Sequence, residues 1–132
     1  MSRMHPARTI LLVDDDATVL MMLARQLRLL GYGVHTAGTA AAALKLMEHA
    51  GRFDLVLIDI IMPGMNGTEL AGLLLDRAPH QSIVLMSAYA PSGLAEVRAG
   101  TNLIPVLKKP IDAHELTRLL DLALSGAGTP AL

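Results

Sequence analysis

The chain has 132 residues, a formal net charge of −1 and no cysteine. This length suits one domain with its own core, and the lack of cysteine excludes disulfide and thiolate chemistry. The near-neutral charge argues against a nucleic-acid-binding face, and no apolar run is long enough to cross a membrane. We therefore expect a single cytoplasmic domain that binds neither nucleic acid nor membrane.

Apolar runs alternate with helix-period stretches along the chain, which is typical of βα units built into a doubly wound parallel sheet. Five strands are predicted, at residues 10–13, 33–36, 55–58, 83–86 and 103–107. Five helices are predicted, at residues 17–30 and 39–49, from Asn66, between residues 91 and 100, and after Asp112. Because proline is tolerated mainly in edge strands, Pro105 places the last strand at an edge of the sheet.

The predicted α/β domain occupies residues 9–124. Residues 1–8 are predicted to form an N-terminal extension, and residues 125–132 a flexible tail of small and polar residues. No internal repeat and no second domain is predicted.

Acidic residues follow two of the apolar strands. Asp14, Asp15 and Asp16 come directly after the first strand, and Asp59 comes directly after the third apolar run, at the end of its strand. In a parallel sheet these strand ends meet at one edge, where ligands bind. Clustered carboxylates repel one another unless a cation neutralises them, and oxygen ligands favour Mg²⁺ over zinc. Asp16 is interpreted differently, as the N-cap of the first helix.

A hydroxyl group and a lysine close two later apolar runs. Ser87 follows the fourth strand, and Lys109-Pro110 follows the fifth. A hard divalent ion beside an aspartate, a hydroxyl and a lysine is typical of phosphoryl transfer, and an aspartate can itself be the nucleophile.

With these motifs the chain resembles the receiver domain of two-component response regulators over residues 9–124. Four motifs carry the resemblance, in the family's order: Leu12-Val13-Asp14-Asp15, Asp59 with the Met62-Pro63-Gly64-Met65-Asn66-Gly67 turn, Ser87-Ala88, and Lys109-Pro110. The resemblance implies a flavodoxin-like sheet with strand order 2-1-3-4-5 and a phosphoacceptor signalling domain that is not an enzyme.

The family implies a Mg²⁺ site. By resemblance Asp15 is the direct ligand, Asp14 acts mainly through water, and Asp59 also contacts the ion. The backbone carbonyl of Ile61, two residues after the phosphoacceptor, is the remaining contact implied by the family.

The family also implies how the phosphoryl group is held. Asp59 resembles the phosphoacceptor, which attacks a phosphohistidine on a histidine kinase or a histidine phosphotransfer protein. Ser87 matches the hydroxyl that moves onto the phosphate, and Lys109 matches the cation that pairs with it. By the same resemblance the Lys109-Pro110 bond is expected to be cis, an isomer that only proline makes inexpensive.

One switch position departs from the family. Many receivers have Tyr or Phe three residues before the lysine, and here that residue is Val106. A valine cannot make the ring rotation that reports phosphorylation. Tyr89, two residues after Ser87, is a candidate substitute gate; the equally open alternative is that it only covers the mouth of the site.

The first helix is predicted to carry the partner surface. Five residues account for a buried stripe: Val19, Met22, Leu23, Leu27 and Leu30. Leu20, Met21 and Ala24 would then face outward, where an apolar patch indicates a docking surface. In the family this helix docks the histidine-bearing helices of the partner.

The domain is predicted to signal by binding an unidentified downstream protein according to its phosphorylation, as a monomer or weak dimer. One alternative is the receiver module of a hybrid histidine kinase, which residues 87–90 resemble. Another is a small aspartate-nucleophile phosphatase, for which residues 14–16 supply a D-x-D pattern, although that class normally needs a larger chain with a cap. A degenerate scaffold would have lost Asp59 or Lys109, and both are present.

Overall fold

The computed structural model describes residues 8–90 and 95–124, and these residues form six strands and four helices. In chain order they are β1 (Thr9–Val13), α1 (Ala17–Leu29), β2 (Gly33–Ala37), α2 (Ala40–Ala50), β3 (Leu55–Asp59), α3 (Gly67–Arg77), β4 (Ile83–Ser87), β5 (Ala95–Ala99), β6 (Asn102–Lys108) and α4 (Ala113–Leu124). The predicted N-terminal extension, apart from Arg8, and the predicted tail lie outside the described residues.

One sheet in the order β2-β1-β3-β4-β6-β5 organises the described residues. The first five strands of that order are parallel. Because β6 is the fifth strand predicted from the sequence, their order is the predicted 2-1-3-4-5 arrangement. Strands β3 and β4 are buried along their whole length, as their unbroken apolar runs predict. The predicted doubly wound, flavodoxin-like fold is confirmed.

The predicted fourth helix is wrong over residues 95–99, which form strand β5 antiparallel to β6. Exposure alternates along this strand: Glu96 and Arg98 are exposed, while Val97 packs against the core. Such alternation is the period of a half-buried strand. Gly100, expected to end a helix, has φ of +64° in the turn that joins β5 to β6. Residues 91–94 of the predicted helix lie outside the described residues.

The predicted edge position of the last parallel strand is also wrong. Strand β6 lies between β4 and β5, and Pro105 sits opposite Glu96 inside the sheet. A proline removes one donor from the ladder, and the other residues of this seven-residue strand keep theirs. The edge is taken instead by β5.

Two aliphatic layers cover the faces of the sheet. Alternate residues of each strand enter opposite layers: Leu11 and Val13 pack on the side of α2 and α3, and Ile10 and Leu12 pack on the side of α1 and α4. Phe53, the single phenylalanine, is buried in the first layer. Both sheet faces are therefore closed, which leaves the carboxyl edge of the strands as the place for chemistry.

Side-chain caps begin the helices where the sequence predicts. Asp16 caps α1 through Thr18 and Val19, which confirms its assignment as an N-cap. Asn66 and Glu69 form the predicted capping box of α3, and Asp112 accepts hydrogen bonds from the first turn of α4. Among the described residues no helix is both long and apolar enough to span a bilayer.

Candidate functional site

Three carboxylates meet at the carboxyl edge of the sheet. Asp14 and Asp15 follow β1, and Asp59 ends the neighbouring strand β3. Each offers a carboxylate oxygen, and these oxygens lie within 4.8 Å of one another. Parallel pairing of β1 with β3 brings the groups together, as the strand-end argument predicts.

The three carboxylates differ in exposure. Asp14 is fully buried and Asp59 is 7% exposed, whereas Asp15 is open to solvent. Asp14 accepts a hydrogen bond from the N–H of Asp16 at 2.9 Å, and Asp59 accepts one from the N–H of Ile61 at 3.3 Å. Asp14 and Asp59 are therefore held inside the protein by backbone hydrogen bonds, whereas Asp15 is accessible to solvent.

Lys109 supplies the positive charge of the site. Its ammonium nitrogen lies 2.6 Å from Asp14 Oδ2 and 3.5 Å from Asp59 Oδ1. The backbone N–H of Lys109 donates to the carbonyl of Ser87 at 2.9 Å, which fixes the end of β6 beside β4. The Lys109-Pro110 peptide bond is cis, as predicted.

The site has more negative than positive side chains, with three carboxylates and the single ammonium group of Lys109. Burial, and then repulsion by the Asp14 carboxylate, raises the pKa of Asp59 from 3.8 to about 6, because the Lys109 ammonium and the Ile61 N–H compensate only in part. Burial alone would lower the pKa of Lys109, but its hydrogen bond to Asp14 and the charges of Asp14 and Asp59 raise it overall. Three carboxylates facing one ammonium group form a site that a small divalent cation fits.

Ser87 ends β4 next to the cluster and is 5% exposed. Its hydroxyl oxygen accepts a hydrogen bond from the N–H of Tyr89 at 3.0 Å. That contact uses the oxygen as an acceptor, so the hydroxyl hydrogen is available to donate to an anion.

The two candidate switch residues lie in contrasting environments. Val106 is 2% exposed in β6, between Leu85 of β4 and Ala95 of β5. Tyr89 is 83% exposed, so its ring is outside the core. Any movement of Tyr89 would begin from solvent, whereas Val106 is held on both sides by neighbouring strands.

Gly67 is a site residue whose importance the sequence reasoning missed. A Cβ at Gly67 would collide with the carbonyl of Asp59 and would lie 2.8 Å from the Cα of Ile60. The N–H of Gly67 donates to the carbonyl of Ile60 at 2.7 Å. Only glycine lets the start of α3 approach the backbone of Asp59 this closely. The sequence feature that could have indicated this role is the glycine at the end of the Met62–Gly67 turn.

The predicted outward face of α1 is only partly correct. Met21 is exposed, but Ala24 is buried and Leu20 packs half-buried against the core. Met22, expected in the buried stripe, is 60% exposed, and Leu30 is exposed as well. The buried face runs through positions 20, 23, 24 and 27, and Leu and Met on both sides of the helix hid this rotation from the sequence pattern.

A cavity of about 270 Å³ opens between α1 and the residues that follow β4 and β6. Its walls are Val19, Met22, Leu23 and Gln26 of α1 together with Ala88, Lys109, Pro110 and Ile111. The Oε1 atom of Gln26 is buried and has no hydrogen-bond partner among the described residues. The sequence reasoning did not identify Gln26, because a glutamine within a helix carries no motif.

Known proteins resemble this chain in both sequence and fold. Residues 10–121 match the family described as the response regulator receiver domain. The DNA-binding transcriptional regulator NtrC of Azospirillum brasilense is 33% identical over 125 residues, which are 95% of this chain and 26% of the relative. The chain spans 24% and 15% of two further curated relatives.

Two solved structures are similar over nearly their whole length. A CheY-like receiver domain protein from Methanospirillum hungatei JF-1 has a TM-score of 0.79 and 28% identity, and the match covers 92% of this chain and 96% of that one. The response regulator TrrA from Thermotoga maritima, in complex with Mg(2+)-BeF, has a TM-score of 0.73 and 30% identity, with 89% and 99% covered.

A doubly wound α/β domain with clustered carboxylates, a hydroxyl and a lysine at its carboxyl edge defines a class of signalling domains. The match over residues 10–121 makes the assignment specific. The chain belongs to the response regulator receiver domain family of two-component systems.

Proposed function

We propose that Asp59 accepts a phosphoryl group from a phosphohistidine on a histidine kinase or histidine phosphotransfer protein. The observation that carries the proposal is the meeting of Asp14, Asp15, Asp59 and Lys109 at one edge of the sheet. A carboxylate oxygen of Asp59 attacks phosphorus, the N–P bond of the donor breaks, and the imidazole nitrogen keeps the electron pair. The product is an aspartyl phosphate on this chain.

The carboxylates fit a Mg²⁺ ion. Asp14, Asp15 and Asp59 would hold it, with the backbone carbonyl of Ile61 as the further ligand. The complex of TrrA with Mg(2+)-BeF supports this choice of metal. When bound, Mg²⁺ neutralises charge on the carboxylates and on the phosphoryl oxygens.

Two further side chains would hold the phosphoryl group. Lys109 pairs with one phosphoryl oxygen, and its 3.5 Å distance from Asp59 means that a small shift of the ammonium suffices. The Ser87 hydroxyl donates to another oxygen with the hydrogen that its contact with Tyr89 leaves unused. Tyr89 is the proposed gate, since Val106 cannot supply a rotating ring.

The donor would dock on the exposed methionines Met21 and Met22 and over the neighbouring cavity of α1. The phosphorylated form would then bind a downstream protein in the cytoplasm. The domain would act as a phosphoacceptor rather than as an enzyme that turns over an external substrate. The curated relatives include DNA-binding regulators and a sensor kinase, so both regulator and hybrid-kinase contexts stay open.

Intact mass spectrometry tests the proposal. The protein is incubated with Mg²⁺ and acetyl phosphate, and one phosphoryl increment is expected on the wild type. Asp59→Asn should show none, while the control Asp76→Asn, an exposed carboxylate of α3, should label normally. Absence of an increment on the wild type, or an equal increment on Asp59→Asn, rejects the proposal. Turnover of phosphomonoesters would instead support the phosphatase alternative.

A further inference from the structure

Strand β5 ends the sheet with its outer side open. On its inner side it pairs with β6, and within residues 8–90 and 95–124 no segment pairs with its outer side. The backbone donors and acceptors along such an edge are a template for another strand. Natural edges are often protected by proline, a bulge or charged side chains. Residues 95–99 contain no proline and pair with β6 in unbroken register, and their charges are one acidic and one basic residue, Glu96 and Arg98.

The sequence of β5 is self-complementary. It reads Ala95-Glu96-Val97-Arg98-Ala99, with an acidic and a basic residue placed symmetrically about Val97. If two copies pair antiparallel with Val97 opposite Val97, then Glu96 of each copy lies opposite Arg98 of the other. Opposite charges directly across two strands stabilise their pairing, and this register forms the contact twice.

The core-side face of β5 favours the same register. Val97 lies beside Ile104 of β6 and packs against the core. Pairing at Val97 would place the two valines side by side, with an Ile104 beyond each. The apolar row that now ends at the edge would continue into the second copy.

The opposite face of the sheet is consistent with this register. Leu103, 54% exposed, lies beside Arg98, and the half-buried Pro105 lies beside Glu96. In the pair, the Leu103 and Arg98 of one copy would continue into the Glu96 and Pro105 of the other. The second copy would then cover Leu103 and the aliphatic part of the Arg98 side chain.

We propose that two copies of this chain associate through β5, antiparallel and centred on Val97, and so join their sheets into one. The occupant of the edge is a second copy because the charge pattern matches itself. With only five residues per strand the dimer is weak and forms at high protein concentration. The association does not require phosphorylation of Asp59, so it stands or falls independently of the proposed function.

Sedimentation equilibrium of the unphosphorylated protein tests the dimer with charge reversals. Glu96→Arg places arginine opposite arginine, and Arg98→Glu places glutamate opposite glutamate. Each variant alone should dimerise about 10-fold more weakly than the wild type. The double variant E96R/R98E restores both opposite pairs, and its Kd should return to within about 3-fold of the wild-type value.

A mixture of the two single variants gives the most decisive test. In a mixed dimer each arginine of one chain faces a glutamate of the other, so the mixture should associate more tightly than either variant alone. The matched controls are Glu48→Arg on α2 and Arg25→Glu on α1, which make the same charge changes at exposed positions elsewhere. They should leave the wild-type association unchanged, and circular dichroism should show every variant folded.

Three results would overturn the proposal. One is a wild type that stays monomeric over the whole concentration range. Another is a dimer that survives both single reversals. The last is a mixture or a double variant that associates no better than the single variants.

Discussion

Lys109 donates a 2.6 Å hydrogen bond to Asp14, a residue 95 positions earlier in the chain, and only approaches Asp59 at 3.5 Å. In this form the lysine therefore lies closer to the buried Asp14 carboxylate than to the candidate phosphoacceptor. Asp14 is fully buried, so loss of that contact would leave its carboxylate without a neighbouring cation.

Lys109→Met should destabilise the metal-free protein by about 2 kcal/mol, because it leaves the Asp14 carboxylate buried without a cation. Mg²⁺ should recover part of that loss by supplying positive charge. Urea denaturation with and without Mg²⁺ measures both effects. The control Lys108→Met, at the exposed neighbouring position, should change stability by no more than about 0.5 kcal/mol. Equal losses in the two variants would show that the Asp14 contact contributes nothing.

The raised pKa of Asp59 makes stability depend on pH. Folding raises the pKa of the Asp59 carboxyl from 3.8 to about 6, so the protonated carboxyl stabilises the folded state relative to the ionised one. Its contribution is therefore lost as pH rises from about 4 to about 7, and it changes little above that. Asp59→Asn removes the loss, so in metal-free buffer the variant should be more stable by about 1–2 kcal/mol at neutral pH and gain little at about pH 4. Thermal unfolding across this range checks the sign, and a gain that shrinks as pH rises would contradict it.

Gly67→Ala should displace the start of α3 or the Asp59 backbone, because the new methyl group would collide with the Asp59 carbonyl. We expect a loss of about 2–4 kcal/mol and slower labelling by acetyl phosphate. Gly72→Ala is the matched control: it lies in the same helix with nothing within 4 Å of the added Cβ. A helix former there should stabilise the protein slightly. Similar behaviour of the two variants would mean that the close approach at Gly67 is unimportant.

The strand-end site could be predicted from sequence because central parallel strands are long apolar runs and place whatever follows them at one edge. The region of β5 could not, because Ala, Glu and Arg favour helices while only the alternation around Val97 indicates a strand. Partnership with β6 decided the outcome. The rotation of α1 was missed for a related reason, since Leu and Met occur on both sides of that helix.

The corrected face of α1 gives a testable docking surface. Met22→Glu should slow phosphotransfer from a histidine donor protein about 10-fold while leaving acetyl phosphate labelling unchanged, because the residue is exposed at the cavity that Lys109 also lines. Leu29→Glu, equally apolar and exposed at the far end of the helix, is the control and should leave both reactions unchanged. Leu20 is unsuitable for this test, since it packs against the core. Loss with both donors would indicate damage to the site instead of to docking.

Tyr89→Ala tests the proposed gate. The side chain is exposed, so its removal should not affect folding, and the hydrogen bond to Ser87 comes from the backbone N–H, which alanine keeps. We expect a several-fold change in the lifetime of the aspartyl phosphate, measured by loss of the phosphoryl increment after the donor is removed. An unchanged lifetime, with unchanged labelling and partner binding, would remove Tyr89 from the switch.

The central claim is that Asp59 itself carries the phosphoryl group, and chemical trapping tests it most directly. After labelling with Mg²⁺ and acetyl phosphate, borohydride reduces an aspartyl phosphate to homoserine, and peptide mass spectrometry locates the converted residue. The account predicts conversion at Asp59 and at no other aspartate. Conversion at Asp14 or Asp15, or none at Asp59 in labelled protein, would contradict it.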